Sequence, residues 1–247
     1  MSNWSRIWKS AGGVDFNRET CMWKFYELLL DGYDFKGKRV LEFGCGTGIN
    51  SVFMAAMGAR VTFLDNSREA LKLVKRNLDG FSLDGDLVYG DVFDSGFESE
   101  FDVVHSEGLI EHFIGKQRQK ILDIHAEAAK KHGKIVIIVP NLKSPGYRIG
   151  KFLAEKTNTW IYGNEYPYSE SELKKRMELA GLKLKKIIGG GFFSSFAWIL
   201  CPLWLPSTNM VKNSMSLPTN SAVMKVDYNN MFADKWGRVI GAVGEKQ

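Results

Sequence analysis

The sequence predicts an α/β fold built on a doubly wound, mostly parallel sheet, and three observations carry that reading. Short β-rich runs alternate with helical patterns through the first half of the chain, the signature of βαβ units. One run, GKIVIIVP at 133–140, is almost wholly apolar, as a strand buried on both faces must be. The first run, KRVLEF at 38–43, opens directly into Gly44-Cys45-Gly46-Thr47-Gly48 and then a helical pattern. Such a turn lets the backbone approach a ligand and frees helix N–H groups to face it.

Each element follows in order. INSVFMAAMGA (49–59) reads as the helix behind the first strand, and RVTFLD (60–65) as the second strand. A helix from about Ser67 to Leu78 places Leu71, Val74 and Leu78 on one face. LVYGD (87–91) and FDVVHS (101–106) are the third and fourth strands, and 116–131 is helical, with Ile121, Leu122, His125, Ala128 and Ala129 at helical spacing. Strand five is 133–140. Residues 141–168 read as an irregular insertion rich in aromatics, including Tyr147, Trp160, Tyr162, Tyr166 and Tyr168. The capping box Ser169-x-x-Glu172 starts a helix that ends at Gly181. LKLKKII (182–188) and WGRVIGAVG (236–244) are the last strands, separated by a long insertion at 189–235. The predicted organisation is therefore an N-terminal helical cover segment, 1–36, ahead of one domain, 37–247, whose insertions 141–168 and 189–235 cover a substrate.

Composition narrows the class. The chain has 247 residues, 45% of them hydrophobic and 25% charged, so it has an ordinary core and is neither disordered nor collagen-like. A net charge of +5 permits anionic partners without demanding them. Cys21, Cys45 and Cys201 are too few for a disulfide framework and fit a reducing compartment. The start, MSNWSRIWKSAGG, lacks the apolar core of a signal peptide. The longest apolar stretch, Phe192 to Leu205, is broken by Pro202 and two serines and is too short to span a bilayer. A soluble cytoplasmic protein is the expectation.

The glycine turn carries the chemistry. Gly44-x-Gly46 resembles a dinucleotide fingerprint, and Asp65 ends the second strand where an acid would hold ribose hydroxyls. The third fingerprint glycine would fall at Ile49, however, and Glu42 brings a carboxylate to the place of a pyrophosphate. That charge suits an ammonium and a sulfonium. The spacing E-x-G-x-G-x-G favours S-adenosylmethionine over NAD. If Asp65 faces only a ligand, Asp65→Ala should weaken cofactor binding and spare the fold.

With VLEFGCGTG, VTFLDNS, GDVFD (90–94), FDVVHSEGLIEHF (101–113) and GKIVIIVPN (133–141) in this order, the chain resembles the class I S-adenosylmethionine-dependent methyltransferases, in the broad group that includes quinone-biosynthesis methyltransferases. The resemblance covers roughly residues 37–141 and implies a Rossmann-like seven-stranded sheet with its last strand antiparallel. It also implies that Glu42, Gly44, Cys45, Gly46, Thr47 and Gly48 surround the methionine part, that Asp65 and Asn66 meet the ribose, and that Asp91 and Val92 meet the adenine. Residues after the fourth strand, from Ser106 onward, would face the methyl group. Some quinone O-methyltransferases of the group carry a Glu-x-x-Glu-His set linked to a divalent ion. Here the first of those positions is Gly108, with Glu107 one residue earlier, which departs from that pattern.

Plainer roles compete with these. The glycines could form a simple turn, although three alternate glycines are a costly way to make one. Asp65 could cap a helix, and Asp91 could start a loop. All four histidines, His105, His112, His125 and His132, lie close in sequence, yet no cysteine or carboxylate completes a ligand set with metal spacing, so no metal site is read. His112, Glu107 and His105 are the candidate bases for an acceptor that must lose a proton; His112 could equally be a packed residue. The Lys/Arg-rich stretches 116–134 and 174–186 read as solvated faces without an RNA-binding module, so nucleic acid ranks behind a small-molecule acceptor. The aromatic segment 192–205 could be plain core, but outside the regular sheet it reads rather as a wall of the substrate pocket, or as a surface making transient contact with a membrane or partner. The expected function is methyl transfer to a small, partly apolar acceptor. An RNA or protein methyltransferase and a non-catalytic cofactor-binding sensor are the alternatives, and the oligomeric state stays open.

Overall fold

The computed structural model describes residues 3–10, 21–196, 199, 227, 228 and 230–247. Two helices, α1 (Asn3–Ser10) and α2 (Cys21–Leu30), precede the sheet. The first βα unit is β1 (Arg39–Phe43) with α3 (Ile49–Ala56). The second is β2 (Arg60–Asp65) with α4 (Arg68–Gly80), and β3 (Asp86–Tyr89) follows. Next come β4 (Phe101–Glu107), α5 (Gln117–Ala128) and β5 (Ala129–Pro140). The chain closes with α6 (Pro145–Lys156), α7 (Glu170–Leu179), β6 (Leu182–Gly190), α8 (Met231–Trp236) and β7 (Val239–Lys246).

The strands join in one seven-stranded sheet in the order β3-β2-β1-β4-β5-β7-β6. Only β7 runs against the rest, because it pairs antiparallel with both β5 and β6. The expected α/β architecture with an antiparallel last strand is what forms. Alternation along the central strands sends side chains into two cores. Val40, Val103 and Val136 join Phe25, Phe53 and Phe63 on one face. Leu41, Val104 and Ile137 join Phe43, Ile121 and Leu122 on the other. Burial on both faces is why these strands read as continuous apolar runs. Strand order reverses between β1 and β4, so the crevice for a ligand opens beyond their carboxyl ends.

Several boundaries depart from the sequence reading, each for a local reason. The insertion 141–168 contains a helix, α6, capped by the Ser144 hydroxyl on the Tyr147 N–H. Its Pro145 is helix-compatible because the first turn needs no N–H there. The helix expected to reach 131 stops at Ala128, since Ala129 already pairs with Phe101 of β4. Trp236 ends α8 instead of opening the last strand. In the long insertion, β6 runs on to Gly190 and residues 192–196 are helical. Gly190 bridges to Tyr228, and the buried Asp227 carboxylate accepts the N–H groups of Phe193 and Ser194. The two ends of the excursion are thereby tied together. Trp198 and Trp204, two aromatics of the segment 192–205, lie outside the described residues.

Candidate active site

The glycine turn sits where β1 leaves the sheet. Gly44, Gly46 and Gly48 all have positive φ, at 63°, 52° and 63°. At Gly48 the requirement is doubled, because a Cβ would also lie 2.8 Å from the Val74 side chain of α4. The turn is held by Asp65 at the end of β2. One carboxylate oxygen accepts the Gly46 N–H at 2.9 Å, and the other accepts the Ser67 N–H at 2.8 Å. The expectation that Asp65 faces only a ligand is therefore corrected: its charge first anchors the loop and the start of α4.

The fit to the cofactor rests on Glu42. Its side chain is buried, and Oε2 has no hydrogen-bond partner among the described residues. Burial pushes its carboxyl up to about 8, against a hydrogen bond from Ser51, with Glu107 and Asp65 adding repulsion. A buried acid left without a counter-charge beside a glycine turn suits the ammonium of an amino-acid end. It does not suit a pyrophosphate.

The other residues expected to meet the cofactor are placed as follows. Thr47 is buried, and its carbonyl accepts the Asn77 amide at 2.8 Å. Cys45 is buried with Sγ 4.0 Å from an Asp65 oxygen. Asn66 and Asp91 are exposed, Asp91 capping the turn 92–94 through the Phe93 N–H, while Val92 is buried beneath it. Ser106 turns the other way, its hydroxyl 2.9 Å from His125 Nε2 on α5. Its side chain is thus engaged on the face opposite His105.

Beyond the carboxyl end of β4 a second cluster assembles. The Glu107 carboxylate accepts the Asn50 amide at 2.8 Å and is raised by burial to about 7, with Arg238 opposing the shift. His112 Nδ1 lies 2.8 Å from the Asn164 carbonyl. A carbonyl only accepts, so Nδ1 carries the proton and Nε2 the lone pair. Nε2 is buried and finds no partner among the described residues. Burial holds this imidazole below its ordinary value, partly offset by the backbone of Asn164 and of Gly108. The Trp4 ring stands edge-on to it at 5.0 Å, and Trp8 of the same helix packs over Gly46. His105, by contrast, is fully buried, with Tyr26 and Ser51 on its two ring nitrogens and its pKa drawn down to about 3 by burial.

Sequence reasoning weighed Glu111 only as the Glu-His half of an incomplete Glu-x-x-Glu-His set and Tyr147 only as one aromatic of the insertion, and it missed Glu165. Glu165 arrives from 54 residues after Glu111 because Tyr166 N–H bonds the Glu111 carbonyl, and buried Arg118 grips the Tyr166 and Pro167 carbonyls. The Tyr147 hydroxyl donates to Glu165 at 2.6 Å. Glu111, His112 and Glu165 each offer a ligand atom within 4.8 Å of the others, a set able to hold a metal ion. The sequence showed no completing carboxylate, since nothing local announces a partner so far along the chain.

These burials set a pH dependence. Glu42 and Glu107 titrate above their unfolded values of about 4.3, so folding favours their protonated forms and stability falls as pH rises through 7 to 8. His105 and His125, at about 3 and 4, cost stability only as pH falls below about 6.5. The cofactor-free protein should melt lower at pH 8 than at pH 6.5. Thermal unfolding followed by circular dichroism checks this, and a higher melting temperature at pH 8 would contradict it.

A two-faced sheet with an acid-flanked glycine turn at its switch point defines a cofactor-binding protein of the doubly wound class. A family model described as a methyltransferase domain matches residues 16–187, and the chain belongs to that family. It is an S-adenosylmethionine-dependent methyltransferase. The ubiquinone biosynthesis O-methyltransferase of Thiobacillus denitrificans is 29% identical over 159 residues, covering 62% of this chain and 68% of that protein. The cypemycin N-terminal methyltransferase of a Streptomyces species is 41% identical over 86 residues, 34% of each chain. Among solved structures, the magnesium protoporphyrin IX methyltransferase of Synechocystis PCC 6803 with bound SAH superposes with a TM-score of 0.61 over 99% of this chain and 93% of that one, at 14% identity. That last likeness is one of fold.

Proposed function

We propose that the enzyme methylates a small, partly apolar molecule at a hydroxyl or amine that His112 deprotonates. The observation that carries this is the fixed tautomer of His112: its proton is committed to Asn164, and Nε2 is buried without a hydrogen-bond partner among the described residues, in a ring that Trp4 meets edge-on at 5.0 Å. Such an imidazole accepts a proton from an acceptor as the acceptor attacks. Methyl transfer is otherwise a displacement at the sulfonium carbon, and the enzyme's work is alignment and exclusion of water. The bound cofactor supplies the methyl group. Glu42 would hold its ammonium, the loop Gly44–Gly48 its methionine part, Asp65 and Asn66 its ribose, and Asp91 with Val92 its adenine.

The aromatic cover is part of the same proposal. Trp4 and Trp8 of α1, with Ile161, pack together over α4, and Tyr147 and Trp160 stand 6.4 Å apart beside Glu165. Residues 1–36 and the insertions 141–168 and 189–235 would close over the donor end of the domain 37–247. The name of one relative, a ubiquinone biosynthesis O-methyltransferase, supports a small-molecule acceptor. Free, buried Cys45 supports a reducing, cytoplasmic setting. Among the described residues no helix is long and apolar enough to cross a membrane.

The metal-capable set supports a second reading, in which a divalent ion on Glu111, His112 and Glu165 lowers the acceptor's pKa in place of a free imidazole. The test of the first claim is incubation with methyl-labelled cofactor and fractionated cell extract. Label should enter low-molecular-weight products. Label confined to protein or RNA would overturn the proposal.

A further inference from the structure

Glu42 and His105 are register partners on β1 and β4, so their side chains leave the sheet side by side on one face. Above them, Ser51 of α3 lies 2.7 Å from His105 Nε2, and Tyr26 of α2 lies 2.8 Å from His105 Nδ1. The Tyr26 and His105 rings meet edge-on at 5.3 Å, and both residues, like Ser51, are fully buried. We propose that Tyr26, His105 and Ser51 form a one-directional chain of donors that positions the Glu42 carboxylate for the ammonium end of the cofactor. The inference rests on the reading of Glu42 given above and extends it to three positioning residues, none of which touches the cofactor.

The direction follows from counting protons. Ser51 is the group that lowers the Glu42 carboxyl against burial; once Glu42 is ionised it only accepts, so the one hydroxyl proton of Ser51 is spent there. Ser51 Oγ must then accept from His105 Nε2–H. With its proton on Nε2, a neutral His105 offers Nδ1 as acceptor to the Tyr26 O–H. Burial keeps the ring neutral. Every dipole in the chain points toward Glu42, and each bond polarises the next. Were Glu42 protonated, it could donate to Ser51 and nothing would fix the direction; the bound ammonium selects the ordered state.

The groups facing Glu42 are Ser51 from α3, Glu107 from β4 and Asp65 from β2, with Cys45 from the glycine turn and Tyr26 from α2 also within its field. The acids favour its protonated form, and the Ser51 chain opposes them. Binding of S-adenosylmethionine should therefore tighten from pH 6 to pH 8 and release protons at pH 7, as the ammonium ionises Glu42.

The test is calorimetry on the full chain with two ligands, S-adenosylmethionine and 5′-methylthioadenosine, which lacks the amino-acid end. Tyr26→Phe keeps the ring and removes the terminal donor. It should weaken S-adenosylmethionine about three- to tenfold, the worth of one buried hydrogen bond, and move the pH dependence upward. Ser51→Ala should do at least as much. Affinity for 5′-methylthioadenosine should stay as it was. In a Glu42→Gln background, Tyr26→Phe should have no further effect. Equal losses for both ligands would show Tyr26 to be merely structural and overturn the chain while leaving Glu42's role intact, as would an unchanged pH dependence. Full S-adenosylmethionine affinity in Glu42→Gln would overturn the ammonium reading itself, and the chain with it.

Discussion

His112→Ala should cut methyl transfer by about 10²–10⁴-fold, the usual cost of a lost general base, while S-adenosylmethionine affinity stays close to that of the unaltered protein. The separation is expected because the proposed cofactor contacts are Glu42, the glycine turn and Asp65, whereas His112 stands beyond β4 and its Nε2 has no hydrogen-bond partner among the described residues. The pH profile sharpens the assignment. Burial lowers the His112 pKa, so activity should decline only below about pH 6.5. Glu107, raised to about 7, would place that decline half a unit or more higher. Single-turnover rates across pH 5–8, with affinity measured in parallel, give both readouts. A mutant that keeps its rate would remove His112 from the chemistry. Loss of activity on chelation, restored by a divalent ion and absent in Glu165→Gln, would transfer the role to the metal-capable set.

Asp65→Ala should lose both stability and cofactor. Two buried N–H groups, those of Gly46 and Ser67, would forfeit a charged acceptor. At about 1–3 kcal/mol for each unsatisfied group, the cofactor-free protein should lose about 2–4 kcal/mol, allowing for water entering the gap. Burial raises the Asp65 pKa, and the N–H donors of Gly46, Ser67 and Asn66 oppose that shift, so the carboxylate and the loop stabilise each other. Asp65→Asn should fall between, because an amide offers one acceptor oxygen where two are used. Thermal unfolding without cofactor is the deciding measurement. An unchanged melting temperature with affinity lost would mean that Asp65 serves the ligand alone.

The candidate cofactor half of the site was legible because it is local. Glu42, the three glycines and Asp65 lie at the ends of two consecutive strands, so strand-then-turn chemistry places them together without knowledge of the rest of the chain. The same logic misjudged single side chains. Ser106 and His105 are neighbours on β4, yet alternation sends one to His125 on α5 and the other to Tyr26 and Ser51. Neither opens onto an acceptor. Helix α6 was hidden by its own Pro145 and by aromatics that read as loop, although the Ser144 cap was in plain view.

The sequence by itself determined the alternating α/β pattern, the two-faced burial of the sheet and the E-x-G-x-G-x-G turn, since each depends on spacing within about ten residues. Tertiary structure alone decided which acids surround His112. Glu165 reaches Glu111 through a backbone hydrogen bond and the grip of Arg118, and Tyr26 reaches His105 across 79 residues. Those pairings have no periodicity to betray them. They form because buried polar groups far apart in the chain must satisfy one another once the sheet has excluded water.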